Sequence, residues 1–194
     1  MEFDELKESI LACRDCAERF GHTPSPIFHG TQHSKIMQIS QAPSKNVHLT
    51  KRPFNDPSGD KLKYQWYQIT DDEFYNEDNF YITSIAKCFP GKNGKGGDKP
   101  PPLACAKKWL ATEMSFIDNK IFLIVGGKAA NYLFPGLSLL DLVFHDHILN
   151  DKPAYVMPHP SPLNVRWFKE HPEFEAQRMP EIRAKVWEAL GKTE

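Results

Sequence analysis

Four short apolar runs, at residues 36–40, 79–86, 121–125 and 154–157, are separated by segments whose apolar residues return at helical spacing. Strands that alternate with helices in this way pair in parallel, since each crossover needs a helix's length of chain to return to the same edge. Right-handed crossovers then cover both faces of the sheet. The expected architecture is a three-layer α/β/α fold around a four-stranded parallel sheet, with residues 1–194 as a single domain. A chain of 194 residues, 40% of them hydrophobic, is long enough to fill one such core.

Helical spacing is read over residues 3–19, where Phe3, Leu6, Ile10, Leu11 and Cys13 recur on one face. Further helices are expected at 61–69, with Ser58 or Asp60 near the cap, and at 103–117, 128–133 and 180–190. Gly91, Gly94, Gly96, Gly97 and Pro100-Pro101-Pro102 place a loop without regular structure ahead of the 103–117 helix.

Ligands of parallel sheets collect beyond the carboxyl ends of the strands. The unusual stretches of this chain fall there: Gln41-Ala42-Pro43-Ser44, residues 84–88, Gly126-Gly127 and His159-Pro160-Ser161-Pro162. His159 leaves its strand inside a proline frame, and Phe54 follows Arg52-Pro53 beyond the first strand. A fixed imidazole near a flat aromatic suits a site that holds a planar ring and stabilises negative charge on it. A histidine satisfied within its own loop is the alternative.

The formal net charge of −1 offers no global attraction for a polyanion. Local basic groups exist at Lys45, His48, Lys51 and Arg52, at Lys92, Lys95 and Lys99, and at Arg166 and Lys169. They read either as solvated surface charge or as phosphate contacts. The longest apolar run, residues 121–125, is far below a membrane span, and the acidic amphipathic start is unlike a targeting peptide. A soluble cytoplasmic protein is expected, with no membrane partner.

The four cysteines fall as Cys13-x2-Cys16 and then Cys88-x16-Cys105. In a reducing compartment they read as metal ligands, catalytic groups or buried thiols, not as a disulfide framework. The first pair can grip one metal centre from two sides, but the second lacks the tight spacing of a zinc ribbon. Such spacing suits an iron-sulfur cluster better than zinc, which stays the alternative.

Taken in order, Cys13-x2-Cys16, Ser40-Gln41-Ala42-Pro43-Ser44, Arg52-Pro53-Phe54, the segment from Tyr81 to Cys88, Cys105 and His159-Pro160-Ser161-Pro162-Leu163-Asn164 resemble the uracil-DNA glycosylase superfamily. The resemblance is strongest to its iron-sulfur branch, often called family 4, and covers nearly the whole chain. It implies a structural 4Fe-4S cluster on Cys13, Cys16, Cys88 and Cys105, and hydrolysis of the N-glycosidic bond of a deaminated base flipped out of DNA. His159 would then donate to an oxygen of the leaving base, while Phe54 stacks on the base and Ala42 and Ser84 line its pocket. Ser161 and neighbouring backbone N–H groups would bind phosphate, Leu163 would fill the gap left by the flipped base, and Arg166 would neutralise a phosphate.

Two positions depart from the family pattern. Where the family commonly has Gly-Glu-Ala-Pro-Gly, this chain has Ser40-Gln41-Ala42-Pro43-Ser44, and Gln41 can orient water but offers no carboxylate. Where the family usually carries an asparagine that reads the uracil edge, this chain carries Ser84. The expected activity is a monofunctional DNA glycosylase acting as a monomer. The alternatives are a noncatalytic DNA- or base-binding member of the same fold, and a zinc hydrolase with His159 at its centre.

Overall fold

Each of the apolar runs forms a strand, and a short fifth strand joins them at one edge. In the computed structural model, which describes residues 2–192, these are β1 (Ile36–Ser40), β2 (Phe80–Ser84), β3 (Ile121–Val125), β4 (His147–Leu149) and β5 (Lys152–Met157). The outer ends of the expected 1–194 domain, Met1, Thr193 and Glu194, lie outside the described residues. The sheet order is β2-β1-β3-β5-β4. All pairings are parallel except β4 with β5, which corrects the expected four-stranded, wholly parallel sheet.

The extra strand has a local cause. Asn150 and Asp151 both take positive φ, 47° and 61°, and form a two-residue hairpin loop that folds β4 back on β5. β4 is only half-buried and three residues long, so it has no apolar run.

The helices are α1 (Phe3–Ala12), α2 (Ala17–Phe20), α3 (Lys45–Thr50), α4 (Pro57–Asp60), α5 (Asp71–Tyr75), α6 (Leu103–Phe116), α7 (Gly127–Leu133), α8 (Leu139–Phe144), α9 (Val165–Glu170) and α10 (Met179–Leu190), with π-helical segments at Lys61–Tyr67 and Phe174–Arg178. The helix expected over 3–19 is two helices. Cys13 ends the first in an extended conformation and Cys16 caps the second, so the Cys-x2-Cys pair occupies the break. The cap expected at Ser58 or Asp60 is instead Asp56, whose carboxylate accepts from the Gly59 N–H at 2.9 Å, with Pro57 in the first helical turn.

Alternation along β2 sends neighbouring side chains to opposite faces of the sheet. Phe80 stacks on Tyr67 of the π-helical segment, with ring centroids 6.2 Å apart. Tyr81 points the other way and donates to Glu113 of α6 at 3.0 Å. Helical layers therefore cover both faces, as the order of elements requires. Glu113 also accepts from Thr83 at 2.9 Å and pairs with the buried Lys87 at 2.5 Å, so a charged knot sits under the end of β2.

The parallel register aligns the strand ends. Ser40 lies beside Ser84, and Val125 beside Met157. The chain leaves β1 toward β2 on one side and reaches β3 on the other, so the sheet has its switch point between β1 and β3. Gln41 and Gly126 are the residues that follow those two strands.

Candidate active site

A cleft of about 340 Å³ opens at this edge. Its walls include Gln41, Ala42, Phe54, Ser84, His159 and Ser161, so six of the residues singled out in the sequence meet in one place. Leu163 and Arg166 stand outside it. Leu163, 93% exposed, lies in the same loop as His159, and Arg166 projects from α9 with its Nε paired to Glu170 at 2.7 Å.

The His159 loop folds upon its own ring. The backbone N–H of Ser161 donates to His159 Nδ1 at 3.1 Å, which makes Nδ1 an acceptor and puts the proton of the neutral ring on Nε2. Asn164 closes the loop further by donating from its side chain to the His159 carbonyl at 3.3 Å and from its backbone to Ser161 O at 2.9 Å. Protein packed around the imidazole lowers its pKa by desolvation, opposed by the negative charge of Asp56. Neutral His159 is thus an N–H donor held at one edge. The Ser161 N–H expected for phosphate is already used, while the Ser161 hydroxyl accepts from Leu163 N–H at 3.2 Å and keeps its own proton to donate.

Gly126 lies beside this ring. Its φ of +90° lies in a region that side chains rarely adopt, and a Cβ there would come within 3.5 Å of the imidazole. Its N–H is bound to Met157 O at 2.8 Å, fixing the end of β3 against the strand that delivers His159.

Phe54, also in the cleft wall, is held there at cost. Its φ of 52° is unfavourable for an aromatic residue, by about 1–3 kcal/mol. Three contacts secure it. The Tyr75 hydroxyl donates to Pro53 O at 2.9 Å and is 3.3 Å from Phe54 O, the ring sits edge-on to Phe74, and Gly59 lies under the Phe54 carbonyl. A Cβ on Gly59 would fall 1.7 Å from that oxygen, so nothing larger fits. Tyr75 is itself covered by Arg52, 3.9 Å above its ring, and Arg52 is tied to Asp71 at 3.1 Å. Arg52 is therefore engaged in holding the Phe54 segment.

Ser84 is buried at the floor of the cleft. Its hydroxyl donates to Ala86 O at 2.6 Å and so has only lone pairs left to offer a ligand. Nearby backbone donors are also taken, since Ile85 N–H binds Ser40 O at 3.0 Å and Ala86 N–H binds Gln41 O at 3.2 Å. These bonds pin the β1 and β2 ends together and leave the Gln41 side chain at the cleft wall.

Asp56 in the cleft wall and Gly59 beneath the Phe54 carbonyl escaped sequence reasoning, whereas Gly126 was already singled out by its place after a strand. The Asp56-Pro57 step is itself a cap signature, with a carboxylate before a proline at the first helical position, and it marks where a carboxylate would be fixed.

The cysteines gather separately. Cys13, Cys16, Cys88 and Cys105 line one small pocket with Phe20, Pro26 and Trp109, and all four are free thiols. Burial and the other three cysteines push the Cys88 thiol up to about 12. The Lys87 N–H donates to Cys105 Sγ at 3.3 Å. Such thiols ionise readily only with a cation among them, as the ligands of a metal centre do. Among the described residues no three Cys, His, Asp or Glu side chains converge closely enough for one metal ion.

A doubly covered, mostly parallel sheet with a cleft beyond the carboxyl ends of β1 and β2 has the layout of an α/β protein that binds a ligand at its strand ends. The chain belongs to the uracil DNA glycosylase superfamily, whose family model matches residues 27–191. It is 26% identical over 131 residues to the type-4 uracil-DNA glycosylase of Sulfurisphaera tokodaii, covering 68% of this chain and 57% of that protein. It is 24% identical to the enzymes of the same name from Archaeoglobus fulgidus, covering 73% of this chain and 66% of the relative, and from Saccharolobus solfataricus, covering 70% and 61%. The matched part thus spans under two thirds of each relative's length. Among the described residues no helix is long and apolar enough to cross a membrane.

Proposed function

We propose that this protein is a monofunctional DNA glycosylase that hydrolyses the N-glycosidic bond of uracil or a related deaminated base flipped out of DNA. The observation that carries the reading is the fixed His159 tautomer, with its Nε2–H beside a cleft that also holds Phe54 and Ser84. As the bond breaks the base leaves as an anion, and a preorganised neutral N–H donor stabilises charge on its oxygen without reorganising. Phe54 stacks on the flipped ring.

Leu163, whose side chain is exposed, would fill the gap left by the flipped base, and Arg166 would exchange its surface pair with Glu170, worth little in water, for a phosphate. The four cysteines would hold a 4Fe-4S cluster, which contributes folding energy and positions the Lys87 to Cys105 region. The names of the relatives and the family match support the same reading.

The test is a panel of single- and double-stranded oligonucleotides carrying uracil, hypoxanthine or xanthine, treated with alkali after incubation, with iron and sulfide measured on the same protein. Abasic sites and bound iron are expected. Tight binding of uracil-containing DNA without any abasic product would favour the noncatalytic reading that Gln41 raises.

A further inference from the structure

Hydrolysis of a glycosidic bond places positive charge on the sugar as well as negative charge on the base. His159 answers the second charge. Gln41, at the end of β1, has no charge to answer the first. Two carboxylates border the cleft, Asp56 and Asp98. Asp98 belongs to the glycine-rich loop and is paired to Lys92 at 2.7 Å, so its charge is already compensated.

Asp56 has no lysine or arginine partner among the described residues. One of its oxygens, Oδ1, accepts the Gly59 N–H at 2.9 Å and fixes the carboxylate at the cap of α4, two residues after Phe54. Its second oxygen has no hydrogen-bond partner among the described residues. The carboxylate also bears on the other side of the cleft, since its charge opposes the desolvation of the His159 ring. A rigidly capped, uncompensated carboxylate in a cleft with an imidazole donor has the electrostatic layout of a glycosidic site: a negative group for the sugar and a donor for the leaving group.

We infer that Asp56 supplies the catalytic carboxylate that Gln41 does not, a reading that rests on the glycosylase function proposed above. In the step it serves, a water held by the Gln41 side-chain oxygen adds to C1′ of the sugar as the C1′–N bond breaks. The bonding pair leaves with the base, on the oxygen faced by His159. The water's proton passes to Asp56 and then to solvent, and the base anion is protonated in turn.

Asp56→Asn tests this cleanly. Asparagine is as good a helix cap as aspartate, so the cap bond and the fold survive while the charge is lost. The first measurement is affinity for two oligonucleotides, one with a neutral tetrahydrofuran abasic site and one with a cationic pyrrolidine in its place. Wild type is expected to prefer the cationic analogue about 10-fold or more, and Asp56→Asn to lose that preference with neutral-analogue affinity unchanged. The second is single-turnover base release, expected to fall about 10²-fold in Asp56→Asn and to recover in part when Gln41→Glu is added. An unchanged cationic preference and rate in Asp56→Asn overturns the role of Asp56 while leaving the glycosylase reading standing. A wild-type protein that releases no base and ignores the charge of the analogue overturns both.

Discussion

The Ser161 backbone N–H, 3.1 Å from His159 Nδ1, decides which nitrogen of the imidazole carries its proton. The donor is built by the loop that follows the histidine, so the proline frame has a chemical purpose: it holds Ser161 in position to select the tautomer.

Replacing His159 by alanine is expected to lower kcat by about 10²-fold or more, with a smaller effect on KM. The pH dependence follows from the direction of the shift. Although His159 is exposed as a residue, desolvation by the protein around its ring lowers the imidazole pKa below the ordinary 6.5, so the folded protein binds fewer protons than the unfolded chain between the two values. The associated stability is present above the unfolded pKa and is lost as pH falls through the folded one. Activity should likewise persist below pH 6.5 and drop only at the lower value. Titration of the His159 ring by NMR checks this; a pKa at or above 6.5 contradicts it.

Gly59→Ala should act at a distance on base binding. Its Cβ would meet the Phe54 carbonyl at 1.7 Å, so the backbone carrying the ring has to move. A loss of at least about 1–3 kcal/mol of stability is expected from the collision, together with weaker binding of uracil-containing DNA. Unaltered binding would mean that the Phe54 ring is not a wall of the base site.

Ser84 should read a base through an acceptor alone. Its proton is committed to Ala86 O, so it suits bases that present a ring N–H beside a carbonyl, as uracil and hypoxanthine do and cytosine does not. N3-methyluracil in DNA is expected to be processed about 10-fold more slowly than uracil or worse, and Ser84→Ala to narrow that difference. Equal rates for the two bases in wild type would contradict this reading.

The knot below Ser84 sets a stability prediction. Lys87 and Glu113 are both almost fully buried and pair at 2.5 Å, with Lys87 Nζ also donating to Ser84 O at 2.6 Å. Removing one partner, as in Glu113→Leu, leaves a buried charge uncompensated and should cost about 3–5 kcal/mol, read from the denaturant midpoint. The double variant Lys87→Met with Glu113→Leu should recover much of that loss. Additive losses would show that the pair is not the source.

The sequence made much of this legible because buried parallel strands are written as continuous apolar runs. Residues 36–40 and 121–125 match β1 and β3 to the residue. β4 escaped since a half-exposed edge strand of three residues has no such run, and its signal was the Asn150-Asp151 turn instead. The helix start was misplaced from Asp56 to Ser58 or Asp60, and with it the carboxylate of the cleft went unseen. The His159 tautomer was beyond sequence reading, because it depends on where a backbone N–H two residues on comes to rest.

The most direct test of the glycosylase account is release of free uracil from a uracil-containing oligonucleotide under single-turnover conditions, by folded protein whose iron content is known. The account predicts free base and alkali-labile abasic sites in equal amounts, abolished or greatly slowed by His159→Ala. No free base from single- or double-stranded substrate, or release undiminished by His159→Ala, would contradict it.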